Sequence, residues 1–165
     1  MKTSLLSVIC AVVLTFQGMA QDYKIENNEL KLAQPVLFET NSYRFKPESD
    51  AALNIIKKYL TDKPYISLLR VESHTDNTGN AKANQTLSEK RAYVICAALV
   101  TMGIDCKRLL PVGFGGTKPI ADNRTSEGKA ANMRVVLVNA ALSGHLIGSM
   151  PANGGGVVAG DICTQ

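Results

Sequence analysis

Between Pro35 and Val138 the sequence alternates short apolar runs with stretches in which apolar residues recur every three or four positions. Pro35 to Phe38 is an apolar run suited to a buried strand, followed by a polar loop from Asn41 to Lys46. Pro47 is a good first helical residue, and Glu48 and Asp50 put negative charge where a helix dipole favours it. Leu53, Ile56 and Leu60 follow at helical spacing, Lys57 and Lys58 occupy the last turns, and Lys63-Pro64 stops the helix. Tyr65 to Glu72 predicts a second strand and His74 to Ala83 a polar loop. Asn84 or Thr86 can cap a second helix, Thr86 pairing with Glu89 as a capping box, and Gly103 ends it. Its apolar set is Leu87, Val94, Ile95, Ala98, Leu99 and Met102. A third strand covers Leu109 to Phe114, Thr125 can cap a short helix over 126–131, and Met133 to Val138 is the last strand. The order β-α-β-α-β-(α)-β predicts an α/β sandwich, a mixed sheet with helices packed on one face. Many functions share that architecture, so the side chains must decide.

A length of 165 residues suits one domain with tails. With 45% apolar and 19% charged residues and a mean hydropathy of +0.02, the chain is neither disordered, collagen-like nor a multispan membrane protein. Tryptophan is absent, so aliphatic residues must fill the core. The net charge of +4 is small and its basic residues are scattered, which argues against nucleic acid as a partner. No internal repeat is visible.

The two ends have their own character. Lys2, the uncharged run Leu5–Phe16 and the small residues Gly18 and Ala20 give residues 1–20 the layout of a secretory signal peptide. An uncleaved anchor is the alternative, and Cys10 is badly placed for lipidation because apolar residues follow it. Residues 21–33 are expected to be a linker, too short to hold the eight or so strands of a membrane barrel. From Val135 to Gly160 the chain carries no charge, but Pro151, Asn153 and glycines 154–156 suit a bilayer poorly. Residues 142–165 are therefore expected to be a Gly-rich flexible tail, with no transmembrane span in the mature chain. The domain proper is placed at 34–141.

After export three cysteines remain, an odd number in an oxidising compartment. Cys96 and Cys106 flank a predicted helix end and can form a local disulfide, leaving Cys163 over. Alternatively Cys96 is a small buried apolar residue and no bridge forms. No Cys/His spacing supports a metal site.

The polar residues gather around the loop Ser73-His74-Thr75-Asp76-Asn77-Thr78-Gly79 and the helix that opens near Asn84 and carries Arg91. Strand ends and the following helix starts are where sheets of this kind bind ligands. Asp76 and Arg91 can face each other across a groove and hold a zwitterion, carboxylate to ammonium and guanidinium to carboxylate. They can equally form a plain salt bridge, or Asp76 can cap its own loop. His74 and Asp76 also invite an acid/base or metal reading. No nucleophile or third ligand accompanies them, so the chain is expected not to be an enzyme and to need no cofactor.

These residues resemble the signature of the OmpA-like C-terminal domain, the peptidoglycan-binding module of outer-membrane porins, peptidoglycan-associated lipoproteins and flagellar stator proteins. The match includes His74-Thr75-Asp76-Asn77-Thr78-Gly79, Asn84 and Leu87-Ser88-Glu89-Lys90-Arg91-Ala92. Phe38-Glu39-Thr40-Asn41, Gly103-Ile104, Gly113-Phe114-Gly115, Pro119-Ile120-Ala121-Asp122-Asn123, Gly128 and Asn132-Met133-Arg134-Val135 extend it over about residues 34–140. The resemblance implies noncovalent binding of the peptidoglycan stem peptide through diaminopimelate, held by Asp76 and Arg91. Thr40 and Asn41 would line the same pocket, with Thr78, Asn84, Leu87 and Arg134 around it. Three positions depart from the pattern: Ser73 for Gly, Glu39 for Asp, and Met133 for the first Arg of the family's N-R-R-V motif. The implied role is tethering an outer-membrane or periplasmic assembly of a Gram-negative envelope to its wall. Outer-membrane proteins are further candidate partners. A periplasmic or outer-membrane protein-interaction module that does not bind peptidoglycan is the alternative.

Overall fold

The computed structural model describes residues 22–148 and 151–164; the expected signal peptide at 1–20 lies outside them. Among the described residues, seven strands form one sheet: β1 (Tyr23–Glu26), β2 (Glu29–Leu32), β3 (Ile66–His74), β4 (Leu109–Gly115), β5 (Val135–Leu142), β6 (His145–Leu146) and β7 (Val157–Val158). The order across the sheet is β1-β2-β5-β3-β4-β7, with β6 paired to β5. β3 and β4 run parallel, joined through helix α2 (Ala81–Thr101), and the other pairs are antiparallel. This is the expected mixed sheet. Helices α1 (Ser49–Asp62) and α2 bury Leu53, Ile56, Leu60, Ile95 and Leu99 against Leu69, Val71, Leu109 and Leu137 of the sheet. Helix α3 (Ser126–Asn132) stands before β5, capped by Thr125, whose Oγ1 accepts from Gly128 N at 2.9 Å. No helix among the described residues is long and apolar enough to cross a membrane.

Several expected elements are corrected. The run at 35–38 is reduced to a single bridge between Phe38 and Phe45, because the chain turns back at once through a left-handed Asn41 (φ 52°). α2 starts three residues ahead of Asn84, the earlier of its two expected caps. Asn80 is its cap, with Oδ1 accepting from Ala83 N at 3.0 Å, so Thr86 lies within the helix and the capping box is unused. The far end of α2 follows expectation. Gly103 takes φ 96°, its N–H bonds Val100 O, and Ile104 N–H bonds Leu99 O, a Schellman closure. β5 extends to Leu142, past the expected end at Val138.

The described residues of 22–33 and 151–164, expected to be a linker and a flexible tail, are structured parts of the same body. The segment 22–33 is the β1–β2 hairpin, which joins the sheet beside β5 and sends Leu30 into the core. The C-terminal segment is a strap. Val157 and Val158 pair with Gly113 and Val112 of β4, and Ala159 N–H donates to Pro111 O at 3.0 Å. Gly156 lies against Val112 and Phe114 so closely that a Cβ would collide with both side chains. Arg70 Nη1 donates to Ala152 O (2.8 Å) and Lys118 Nζ to Gly154 O (2.9 Å). These contacts cover the sheet face turned away from the helices, while Ile162 tucks into the main core. A charge-free, glycine-rich segment suits this role, because it lies flat on apolar side chains without desolvating a charge.

The disulfide is likewise not the expected one. Cys106 bonds Cys163, with Cα atoms 5.2 Å apart, and Cys96 is free and buried. Cys96 follows Ala92 by one helical turn on the inner face of α2, whereas Cys106 lies beyond the Gly103 turn in a short 3-10 segment. Burial also pushes the Cys96 thiol pKa far up, which leaves it inert.

Candidate functional site

The site begins where β3 runs out. Thr75 N–H donates to Gly115 O (2.9 Å), pinning the loop start to the end of β4. Asp76 then turns the chain by accepting from Thr78 N at 2.7 Å through Oδ1, an Asx turn. Asn84, a turn into α2, donates through Nδ2 to Thr78 O (2.8 Å) and Asp76 O (3.3 Å). The loop is thus fastened to the helix that follows it. On the other side Gly116 allows close approach, since a Cβ there would sit 2.8 Å from Asp76 O.

Asn84, Leu87 and Arg91 fall at i, i+3 and i+7, one stripe of α2. Arg91 is only 5% exposed. Its Nε donates to Ser42 O at 2.8 Å, its Nη2 to Glu39 O at 3.4 Å, and its guanidinium lies 4.9 Å from the Phe38 ring centroid. The turn that carries Thr40 and Asn41 is therefore held against α2 by Arg91. Burial lowers the guanidinium's pKa. Among the described residues neither Arg91 nor Asp76 takes part in a salt bridge. The plain ion pair between them is not formed. Asp76 does cap its loop, but through one oxygen only.

An open groove of about 490 Å³ runs along this end of α2, with Asn41, Asn80 and Leu87 in its wall; Asp76 and Arg91 are not among its lining residues. The structure thus gathers the turn at 39–42, the loop at 76–80 and the first half of α2. Thr78 and Thr40 are exposed on those turns. Arg134 sits between the base of the Asp76 loop and the loop after β4. Its Nη2 donates to Lys118 O (3.1 Å), its Nη1 to Asn132 O (3.3 Å), and its backbone carbonyl accepts from His74 N. It braces the loop after β4, and burial lowers its pKa, against the opposing pull of the Glu72 and Glu29 charges.

His74 is structural in setting. Buried at 1% exposure, it stacks on Phe114 (centroids 4.9 Å apart, planes 7° apart), and Nε2 meets Glu72 Oε2 at 3.2 Å. Arg70 Nε donates to the other Glu72 oxygen at 2.7 Å. Burial lowers the His74 pKa and holds the ring neutral, with the charges of Arg134 and Lys118 acting in the same sense and Glu72 opposing. Burial alone would raise Glu72, but the hydrogen bonds from His74 and Arg70 outweigh it and keep its carboxylate below the ordinary range. No group of three metal-ligating side chains occurs among the described residues.

Asn132 is the residue that the sequence pattern undersold. Fully buried, it accepts from Ile120 N (2.7 Å) and Ala121 N (3.1 Å) through Oδ1. Its Nδ2 donates to Ala121 O and Asn123 Oδ1, both at 2.9 Å. Asn123 Oδ1 in turn accepts from Asn77 N at 3.3 Å, so the chain of bonds ends on the Asp76 loop. Its place beside Met133 and Arg134 in the matched pattern was the available signal.

Comparison with known proteins fits this geometry. Residues 37–133 match the OmpA family. The outer membrane protein Omp38 of Acinetobacter baumannii is 39% identical over 108 residues, 65% of this chain and 30% of that protein. The outer-membrane lipoprotein YfiB of Pseudomonas aeruginosa is 36% identical over 126 residues, 76% of this chain and 73% of its own. The crystal structure of the peptidoglycan-associated lipoprotein from Burkholderia pseudomallei superposes with a TM-score of 0.58 at 30% identity, covering 65% of this chain and 91% of that one. The chain thus spans about a third of the length of Omp38 and most of YfiB.

Proposed function

The chain belongs to the OmpA family, and on that premise we propose that it binds peptidoglycan without cleaving it, anchoring an outer-membrane or periplasmic assembly of a Gram-negative envelope to the wall. The ligand group is the zwitterionic end of diaminopimelate in the stem peptide. Asp76 takes its ammonium and Arg91 its carboxylate, while Thr40, Asn41, Thr78, Asn84 and Leu87 shape the pocket and Arg134 braces its far loop.

The observation that carries this reading is the state of Arg91. A guanidinium taken largely out of water and hydrogen-bonded, among the described residues, to backbone carbonyls alone has no counter-charge among them. A ligand carboxylate supplies one in a bidentate fork. Asp76 keeps one carboxylate oxygen outside its turn for the ammonium. The relative named as peptidoglycan-associated supports the choice of ligand.

The experiment is co-sedimentation with purified sacculi, wild type beside Asp76→Asn and Arg91→Lys, with free diaminopimelate as competitor. Asp76→Asn keeps the turn acceptor and removes the charge. Arg91→Lys keeps the charge and removes the fork. Losing a charge partner of a desolvated zwitterion costs about 2–5 kcal/mol, enough to leave both variants in the supernatant. Wild type should pellet, and free diaminopimelate should release it. A wild type that stays soluble, or variants that pellet equally well, would overturn the reading.

A further inference from the structure

The C-terminal strap and the outer face of the sheet close a ring of contacts. Ala152 O accepts from Arg70 Nη1 (2.8 Å), and Arg70 Nε donates to one oxygen of Glu72 (2.7 Å). The other Glu72 oxygen lies 3.2 Å from His74 Nε2, and His74 stacks on Phe114. The Lys118 ammonium stands 4.2 Å from the centroid of that same Phe114 ring and donates to Gly154 O (2.9 Å), back on the strap. Gly156 closes over Phe114 itself. Arg70, Glu72 and His74 alternate along β3 and therefore share one face.

His74 is the ring member whose ordinary pKa lies near neutrality. In its neutral form Nε2 serves Glu72, and Nδ1 is buried with no hydrogen-bond partner among the described residues. A second proton puts an N–H at that unpartnered position, a buried donor with nothing to accept it. It also adds positive charge among Arg70 on the same strand, Lys118 on the loop after β4 and Arg134 just before β5. The neighbouring anion, Glu72, is already shared with Arg70, and residues 151–160 of the strap carry no charge. Burial, with the Arg134 and Lys118 charges and against the pull of Glu72, holds the His74 pKa below its ordinary value. The strap is the layer that can leave. Its β7 is two residues long, followed by a single further bond from Ala159 N–H to Pro111 O, so local opening there breaks few contacts. Once it lifts, Lys118 loses Gly154 O and is free to move into water.

We propose that the strap is a pH-gated cover: protonation of His74 opens the ring and lifts residues 151–160 off the sheet, while the Cys106–Cys163 bond keeps the segment tethered. Opening uncovers Val112 and Phe114 and frees the β4 edge at Val112 and Gly113. The gate does not depend on which ligand Asp76 and Arg91 take. With the strap lifted, His74 titrates near its ordinary value of 6.5. Above that value both states are neutral and the cover stays closed. Below it the lifted state takes the proton first, and opening gains up to about tenfold per pH unit until the closed state is protonated as well. Glu72, held below its ordinary 4.5, stays ionised through this window.

Amide exchange on the chain with its disulfide intact tests the gate, at about pH 7.5 and about pH 5.5, with each rate corrected for the intrinsic pH dependence of exchange. The reporter is the Ala159 amide, bonded to Pro111 O. In wild type its protection should fall about tenfold from the higher pH to the lower. It should also stay well below that of buried α2 amides such as Leu99's and be insensitive to low urea, as local opening requires. His74→Gln keeps an amide donor for Glu72 and does not titrate, so its Ala159 protection should be equal at both pH values. Lys118→Met removes a strap bond and a charge facing His74, so it should lower protection at the higher pH and shrink the fall. Ala159 protection unchanged by pH in wild type overturns the gate, as does the full wild-type fall in either variant. So does an Ala159 amide as protected and as urea-sensitive as those of α2, because the strap then opens only when the whole molecule unfolds.

Discussion

Asn132 shows how one side chain can govern a site it never touches. It satisfies two backbone N–H groups and one carbonyl of the loop after β4, and passes the connection to the Asp76 loop through Asn123. Replacing it with Ala leaves buried backbone groups unpaired, at a cost of about 3 kcal/mol in urea unfolding. Sacculus binding should weaken in parallel, because the Asp76 loop loses its lateral support. The loop and helix that carry Asp76 and Arg91 were legible in the sequence because their signals are local, while the resemblance, not the spacing, singled out the two side chains as a candidate pair. The partners of Arg91 were not legible: Ser42 and Glu39 lie 49 and 52 residues away, and only the fold brings their carbonyls to the guanidinium. The carbonyls of Lys118 and Asn132 that Arg134 meets are likewise set by the fold.

Among the elements, α2 is the one on which the whole site hangs, and its start was misread for a definite reason. Asn80 and Thr86 both satisfy local capping rules, and Ala81, Lys82 and Ala83 are good enough helix formers for the earlier cap to prevail. Asn80→Ala should cost about 1 kcal/mol of stability and loosen the loop at 76–80, measurable by thermal denaturation and amide exchange. Thr86→Ala should leave stability nearly unchanged, as expected of an exposed helix-interior position. The strap was misread for the opposite reason. Its glycines and lack of charge describe a flexible tail by composition, and nothing local reveals that Val112 and Phe114 leave an apolar strip for it to cover. Gly156→Val should dislodge it, seen as faster proteolysis after residue 150 with the sheet and helices retained.

At the scale of the whole molecule, the Cys106–Cys163 bond ties the strap to the body across 57 residues. Loop closure of that length is worth about 4 kcal/mol in the chain-entropy picture. Reducing agent should lower the melting temperature of wild type and leave Cys163→Ser, already lowered, unmoved. Acid should also destabilise the fold. His74 and Glu72 both hold protons less readily in the native state than in the unfolded one, so the unfolded chain takes up more protons as pH falls. Stability should be full above the ordinary imidazole value of 6.5 and decline through 6.5 and then 4.5. Melting temperatures across that range check this, and His74→Gln should flatten the upper part of the decline. By itself the sequence determined the alternating elements, the mixed sheet, the loop–helix pair that carries Asp76 and Arg91, and the Schellman end of α2, because each rests on contacts within a few residues. Tertiary structure alone decided the β1–β2 hairpin, the strap, the cysteine pairing, the placement of Arg134 and the clamp on the turn at 39–42. Those depend on which distant surfaces are left to cover and which distant carbonyls face a buried charge, and neither is written in any local window of the chain.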